Sequence, residues 1–405
     1  MSKGMVIVGG GMAGARAIVH LRANGWEGLI TLVSEEALLP YDRPPLSKAL
    51  ITDETEPQPT YLLDATMLAS LKATVIRGLR ATGIDRAQHL LHLVGGVTLP
   101  YEKLLIATGS KPRRLTLPGG ERALTLRDYE DGEVLRHRLR GAKSVAIVGG
   151  GFIGLELAAS ARKLGVAVTV IEAQPRILMR GVPEEIAHTV HARHQAADVT
   201  MQLGTGLAAI ETDGVVLADG RTIKADIVIA GIGAAPETAL AEQAGLAVAN
   251  GITCDAMLQT DDPDIYAAGD CCSFPHPLFG NKRLRLEAWR NATDQADIAT
   301  GNMLGAGKPH AAVPWFWSDQ YDLSLQIAGV PADGVETLRR QVSDQAFIMF
   351  HSDASGRLVG ASGIGPGNAI ARDIKLAEML IAKSASPASG ALSDPAMGLK
   401  SLLRG

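Results

Sequence analysis

Cysteine is scarce in this chain: three residues in 405, at positions 254, 271 and 272. No CxxC spacing exists among them, so a zinc ribbon, a thioredoxin-type pair and a disulfide scaffold are all excluded. Aromatic residues make up only 4% of the sequence, and charge of neither sign dominates, with a formal net charge of −4. That near balance gives no whole-chain electrostatic argument for nucleic acid or for a membrane surface as partner. No apolar run reaches the length of about 18 residues that a membrane span requires. The most apolar stretch, Val145–Leu155, is studded with glycine and stopped by Glu156. The first strand-like run, Met5–Val8, leaves no room ahead of it for the regions of a signal peptide. A soluble cytoplasmic protein is the expectation.

What the chain has is 46% hydrophobic residues and enough length for two or three domains. It also has an internal likeness. The segment Val6–Gly14, containing Gly9-x-Gly11-x-x-Gly14, resembles Val145–Gly154, containing Gly149-x-Gly151-x-x-Gly154. Each motif follows a β-branched run and opens a helical one, Ala13–Asn24 and Ile153–Leu164. Each helix stops at a glycine, Gly25 and Gly165, and a second strand follows, Ile30–Val33 and Val168–Ile171. In such a βαβ unit the first glycine permits a tight turn. The second lets backbone approach a pyrophosphate, and the third lets helix pack on strand. The pyrophosphate then meets the positive end of the helix. A carboxylate closes each second strand, Glu35 and Glu172, where ribose hydroxyls are bound. Met12 with Ala13, and Phe152 with Ile153, occupy the variable places of the two loops. Two dinucleotides are therefore expected. Glu172 suits the free 2′-hydroxyl of NAD. Arg176 and Arg180 leave open a phosphate-binding alternative, NADPH.

Further motifs join these: a strand ending in Ala107-Thr108-Gly109, a second ending in Gly269-Asp270, the run Tyr41–Lys48, the run Leu286–Ala292 with Glu287, Ala288 and Trp289, and Pro314-Trp-Phe-Trp-Ser-Asp-Gln320. Together with the two glycine loops they resemble the oxygenase-coupled ferredoxin reductases, flavoproteins with the glutathione-reductase fold. The resemblance implies an α/β chain with two Rossmann-like dinucleotide-binding domains and a small α+β C-terminal domain. The FAD domain is expected at 1–108 and 236–317, the NADH domain at 109–235 and the C-terminal domain at 318–405. In the last, strands are expected at Asp319–Ile327 and Gln345–Met349, a helix at Ala369–Ala382 and a loose connector at Lys383–Asp394.

Carried over residue by residue, the resemblance implies Ala13, Glu35, Arg43, Lys48, Ala81, Arg127, Asp270 and Trp289 as FAD contacts, Asp270 on the ribityl chain. It implies Ile153, Glu156, Glu172, Arg180 and the turn Gly231-Ile232-Gly233 as NADH contacts. Disulfide reductases of this fold carry cysteines in the first domain. This chain has none before Cys254, so flavin is expected to take hydride from NADH and release electrons singly to a [2Fe-2S] ferredoxin. That carrier would supply a Rieske-type aromatic-ring dioxygenase. A cytochrome P450 redoxin or a rubredoxin as acceptor, an NADH oxidase and a binding flavoprotein like the apoptosis-inducing factors are the rival readings.

Lys48 and Glu156 are the expected catalytic pair near flavin N5; a plain ion pair is the alternative. Trp315 and Trp317 share one strand face, as an aromatic wall by the flavin or as an ordinary core pair. Lys282, Arg283, Arg285 and Arg290 form a basic stretch, either a docking face for an acidic ferredoxin or a solvated surface. His188, His191 and His194 recur every third residue on a helix. Each step drifts about 60°, so a surface face is expected rather than a zinc site. Cys271 and Cys272 are expected to be buried packing residues.

Overall fold

The computed structural model describes residues 3–55 and 57–404. The chain forms two compact units. The first comprises Met1–Asp42, Pro59–Lys111 and Pro236–Pro314; the second comprises Arg43–Gln58, Pro112–Ala235 and Trp315–Gly405.

In the first unit, β1 (Gly4–Val8) is buried at every residue. It lies between β2 (Ile30–Val33) and Thr98–Ile106, parallel to both. A strand covered on both faces reads as a continuous apolar run, as Met5-Val-Ile-Val8 does. Ile265–Ala267 extends the parallel part of this sheet beside Thr98–Ile106. Helix α1 (Met12–Ala23) turns Ala17, Ile18 and Leu21 into the core. Complete burial of side chains such as Ile7, Leu32 and Leu105 contributes roughly 1.5–3 kcal/mol each. Gly25, at φ +83°, ends α1 as expected: its N–H and that of Trp26 bond the carbonyls of Arg22 and Leu21.

The second unit repeats the plan. Here β3 (Ser144–Val148), α2 (Phe152–Lys163) and β4 (Ala167–Glu172) form the βαβ. The four-stranded sheet runs Val199–Leu203, β4, β3, Ile227–Ala230, all parallel. Helix α3 spans Glu184–Gln195. The C-terminal part is a five-stranded antiparallel sheet in the order β5 (Trp315–Gln320), Leu323–Gly329, Leu358–Pro366, Ala346–Ser352, Glu336–Ser343. Helix Ala371–Ala382 buries Ile374, Ala377, Leu380 and Ile381.

Three expectations need correction here. Asp319–Ile327 is not one strand. It is the hairpin between β5 and Leu323–Gly329, reversed at Tyr321 and Asp322, with Tyr321 left-handed at φ +57°. No glycine or asparagine marks the turn, so the apolar pattern reads straight through it. The tail after Lys383 is not a loose connector. It holds a short helix, Ser389–Ser393, with Leu392 and Leu399 almost wholly buried. The guanidinium of buried Arg340 donates to the carbonyls of Leu392, Asp394 and Met397 and fastens it. The histidines of α3 do not form a surface face. His188 is exposed and His191 half-buried, but His194 is fully buried against Gln320. Among the described residues no acidic, histidine or cysteine group is clustered to hold a metal, and no helix is long and apolar enough to cross a membrane.

Candidate functional site

The glycines of the second unit's loop divide their work. Gly149 sits at φ +107°, and a Cβ there would lie 2.4 Å from the Gly231 carbonyl oxygen. A Cβ at Gly154 would lie 2.3 Å from the Gly149 oxygen. Both are required by close approach within the protein. At Gly151 the only atom of the described residues beyond its own helix that comes within 4 Å of such a Cβ is the Gly231 oxygen, at 3.9 Å. Protein packing does not require a glycine there, whereas a pyrophosphate laid over the loop does. No side chain caps α2 at Gly151, so its first N–H groups face outward for an anion. Ile153 is exposed beside them. Phe152 turns away, its ring 4.5 Å from that of Phe316.

The Glu172 carboxylate takes the N–H of Gly150 at 2.7 Å and of Gln174 at 2.8 Å. These bonds hold it at the loop, and each oxygen keeps a further acceptor site for a ribose hydroxyl. Arg176, the phosphate-binding alternative, is committed elsewhere: its guanidinium donates to the carbonyls of Ile177, Met179 and Val182. Arg180 is exposed. The Gly231-Ile232-Gly233 turn follows strand Ile227–Ala230, with Gly233 at φ +97°.

In the first unit, Gly9 is at φ +123° and a Cβ there would meet the Ala107 oxygen at 2.1 Å. The Ala107-Thr108-Gly109 segment, which follows strand Thr98–Ile106, therefore lies directly on the loop. Gly11 begins α1 with no side-chain cap, followed by half-buried Met12 and buried Ala13. Glu35 is exposed just past β2. Asp270 takes the Ser110 hydroxyl at 2.9 Å. Near it, the side chain of Gln295 is wholly buried; its Oε1 accepts the Gly269 N–H at 2.8 Å, and its Nε2 has no partner among the described residues. Ala81 is half-buried at the start of an outer strand. Trp289 opens helix Trp289–Met303 after Ala288, and its indole N–H donates to Asp42 at 2.8 Å. Glu287 pairs with Arg285 at 2.6 Å.

Arg43, Lys48 and Arg127 belong to the second unit. Arg43 donates to the Arg127 carbonyl at 2.6 Å. Lys48 Nζ lies 2.7 Å from Glu156 Oε2, and the same oxygen accepts the Ser47 hydroxyl at 2.5 Å. The other oxygen, Oε1, accepts Ser318 at 2.7 Å. Buried Glu156 is thus matched by one cation and two hydroxyls, as a buried carboxylate requires. The sequence reading missed Ser47 and Ser318. The two serines stand inside the runs Tyr41–Lys48 and Pro314–Gln320, but only the fold shows that both bond Glu156. The Trp315 and Trp317 rings stack at 5.3 Å.

Arg283 and Arg285 are held in place: Arg283 donates to the Cys254 and Ser273 carbonyls, and Arg285 to that of Asp270. All three cysteines are buried and unpaired by disulfide. Burial pushes the Cys271 thiol up to about 11 and Cys272 well above its ordinary value. They are packing residues, as expected.

Residues 3–296 match the pyridine nucleotide-disulphide oxidoreductase family, and residues 315–403 match the reductase C-terminal family. Over 98% of both chains, the protein is 40% identical to the ferredoxin–NAD(+) reductase component of an anthranilate 1,2-dioxygenase system from Burkholderia cepacia. The ferredoxin reductase for the CYP199A2 system from Rhodopseudomonas palustris superposes with a TM-score of 0.93 at 36% identity, over 99% of each chain. Putidaredoxin reductase, in its covalent complex with putidaredoxin, superposes equally well at 32% identity, over 100% of this chain and 98% of the other. The chain belongs to the pyridine nucleotide-disulphide oxidoreductase family and carries a reductase C-terminal domain.

Proposed function

We propose that this chain is an NADH-dependent ferredoxin reductase that passes electrons from NADH through FAD to a [2Fe-2S] ferredoxin serving a Rieske-type aromatic-ring dioxygenase in the cytoplasm. The observation that carries this reading is the end-to-end similarity to a dioxygenase-system ferredoxin reductase, in a chain with no cysteine before position 254. With no thiol relay in the N-terminal half, the acceptor takes electrons from the flavin itself. FAD supplies the change from two-electron to one-electron chemistry, and the protein supplies binding, orientation and electrostatics.

In this reading Gly9, Gly11, Ala13 and Gly14 hold the FAD pyrophosphate, with Glu35 on its ribose and Asp270 on its ribityl chain. Arg43, Ala81, Arg127 and Trp289 are further FAD contacts. Gly149, Gly151, Gly154, Ile153, Glu172 and Arg180, with the Gly231–Gly233 turn, hold NADH. The commitment of Arg176 to backbone carbonyls supports NADH over NADPH, because it removes one cation from the reach of a 2′-phosphate. Lys48 presents a positive charge to stabilise negative charge developing on reduction, and Glu156 fixes the lysine's direction. Trp315 and Trp317 form an aromatic wall.

Of the basic stretch, Lys282, Arg283 and Arg290 form the docking face for an acidic ferredoxin, where complementary charge speeds encounter. Arg283 is exposed and its bond to the Ser273 carbonyl holds its charge in one place, which supports this role; Arg285 is paired with Glu287 at 2.6 Å with only 11% of its side chain exposed, and its charge is spent within the protein. The test is reduction of cytochrome c by NADH with the purified holoenzyme. Turnover should depend on an added [2Fe-2S] ferredoxin and fall sharply with NADPH. Rapid NADH oxidation with no carrier would instead identify an oxidase.

A further inference from the structure

Glu156 is the end of a longer run of side-chain hydrogen bonds than an ion pair needs. Ser318 donates to its Oε1 at 2.7 Å. Gln320 Nε2 lies 3.2 Å from the Ser318 hydroxyl, and Gln320 Oε1 lies 2.8 Å from His194 Nε2. The Tyr321 hydroxyl stands 3.2 Å from His194 Nδ1. Ser318, Gln320, Glu156 and His194 are all buried, at 1%, 4%, 5% and 0% exposure. The donors can be assigned from one end. A carboxylate paired with Lys48 only accepts, so Ser318 gives it the hydroxyl proton. Ser318 then has lone pairs left and takes the Gln320 amide N–H. That orientation turns the amide oxygen to His194, which must carry its proton on Nε2. Nδ1 is left to accept from Tyr321. Every donor points toward Glu156, and no member can rotate without orphaning a buried neighbour. Burial, which pushes the His194 pKa down to about 4, agrees with a neutral imidazole in this place.

We infer that Ser318, locked by Gln320 and His194, is a positioning residue for Glu156, by which the C-terminal domain takes part in reduction by NADH. The inference rests on the proposed role of the Lys48–Glu156 pair. Oε2 of Glu156 holds Lys48 and Ser47, while Oε1 is held by Ser318 from β5. Without Ser318 the buried Oε1 loses its donor. The carboxylate then turns about its last bond to share Lys48 between both oxygens, and the ammonium moves with it.

The experiment is a double-mutant cycle on the limiting rate of flavin reduction by NADH, measured by stopped flow on FAD-loaded enzyme. Ser318→Ala should slow that rate by about tenfold, the loss of one hydrogen bond to a charged group. The apparent NADH affinity should stay within about twofold. In the Glu156→Gln background the same change should cost less than about twofold, because the group it positions has lost its charge. An unchanged rate in Ser318→Ala, or an equal slowing in both backgrounds, overturns the inference while the Lys48–Glu156 reading stands. If Glu156→Gln alone reduces as fast as the unmodified enzyme, both fall. Should Ser318→Ala not fold, Ser318→Cys, close in size and a weak donor, carries the same cycle.

Discussion

Lys48 and Glu156 meet at 2.7 Å with unequal burial: 31% of the lysine side chain is exposed, and 6% of the glutamate. The carboxylate therefore depends on its partner more than the ammonium does. Removing Lys48 leaves a buried charge held by two serine hydroxyls, and breaking a buried pair on one side costs roughly 3–5 kcal/mol, less here because water reaches the lysine position. Lys48→Ala should reduce with NADH at least about tenfold more slowly. Stopped-flow reduction at the unmodified rate, with FAD still bound, would remove Lys48 from the mechanism.

Glu172 sets a second expectation. Its two oxygens are held at the loop by the Gly150 and Gln174 N–H groups. Glu172→Gln removes the charge but leaves an acceptor. The preference for NADH over NADPH, read as the ratio of kcat/KM values, should narrow by about tenfold, the size of one charge-assisted hydrogen bond. An unchanged ratio would show that discrimination lies elsewhere.

The glycines of the second loop should separate binding from folding. A Cβ at Gly154 would be 2.3 Å from backbone, so Gly154→Ala should lower stability by about 1–3 kcal/mol or more, as overpacking does. At Gly151 the nearest atom of the described residues beyond its own helix is 3.9 Å away. Gly151→Ala should melt close to the unmodified protein yet bind NADH several-fold more weakly. Calorimetry and NADH titration of the two variants check this; equal loss of stability in both would contradict it.

Docking by charge should respond to salt. Arg290→Glu is expected to raise the KM for ferredoxin at low ionic strength and to leave the KM for NADH unchanged. The difference should shrink above about 0.5 M salt, where the Debye length is only a few ångströms. A ferredoxin KM insensitive to the reversal at low salt would exclude Arg290 from the contact.

Three buried histidines predict acid sensitivity. Burial lowers His194 and His351 to about 4 and His310 to about 3. An unfolded histidine titrates near 6.5, so below that pH the unfolded chain binds protons that the folded chain refuses. Stability is complete above about pH 6.5 and falls as pH drops toward 4, by up to about 1.4 kcal/mol per pH unit for each group. Urea midpoints between pH 7 and 4.5 should decline accordingly, and His351→Gln should flatten the decline.

The sequence by itself determined the repeated βαβ units, because glycine spacing and strand burial are local demands. Gly9 and Gly149 must sit at positive φ against neighbouring backbone, and β1 must be apolar because both its faces are covered. It also determined the absence of a thiol relay from the N-terminal half. Only tertiary structure decided what surrounds Glu156. Ser47 and Ser318 stand 271 positions apart, and no periodicity links them; they converge because α2 packs against β5 within one unit. The same holds for His194, which a helical pattern puts on a surface and which the Gln320 side chain draws into the core. A buried polar group is defined by the partner that satisfies it, and that partner is set by packing between elements, not by its neighbours along the chain.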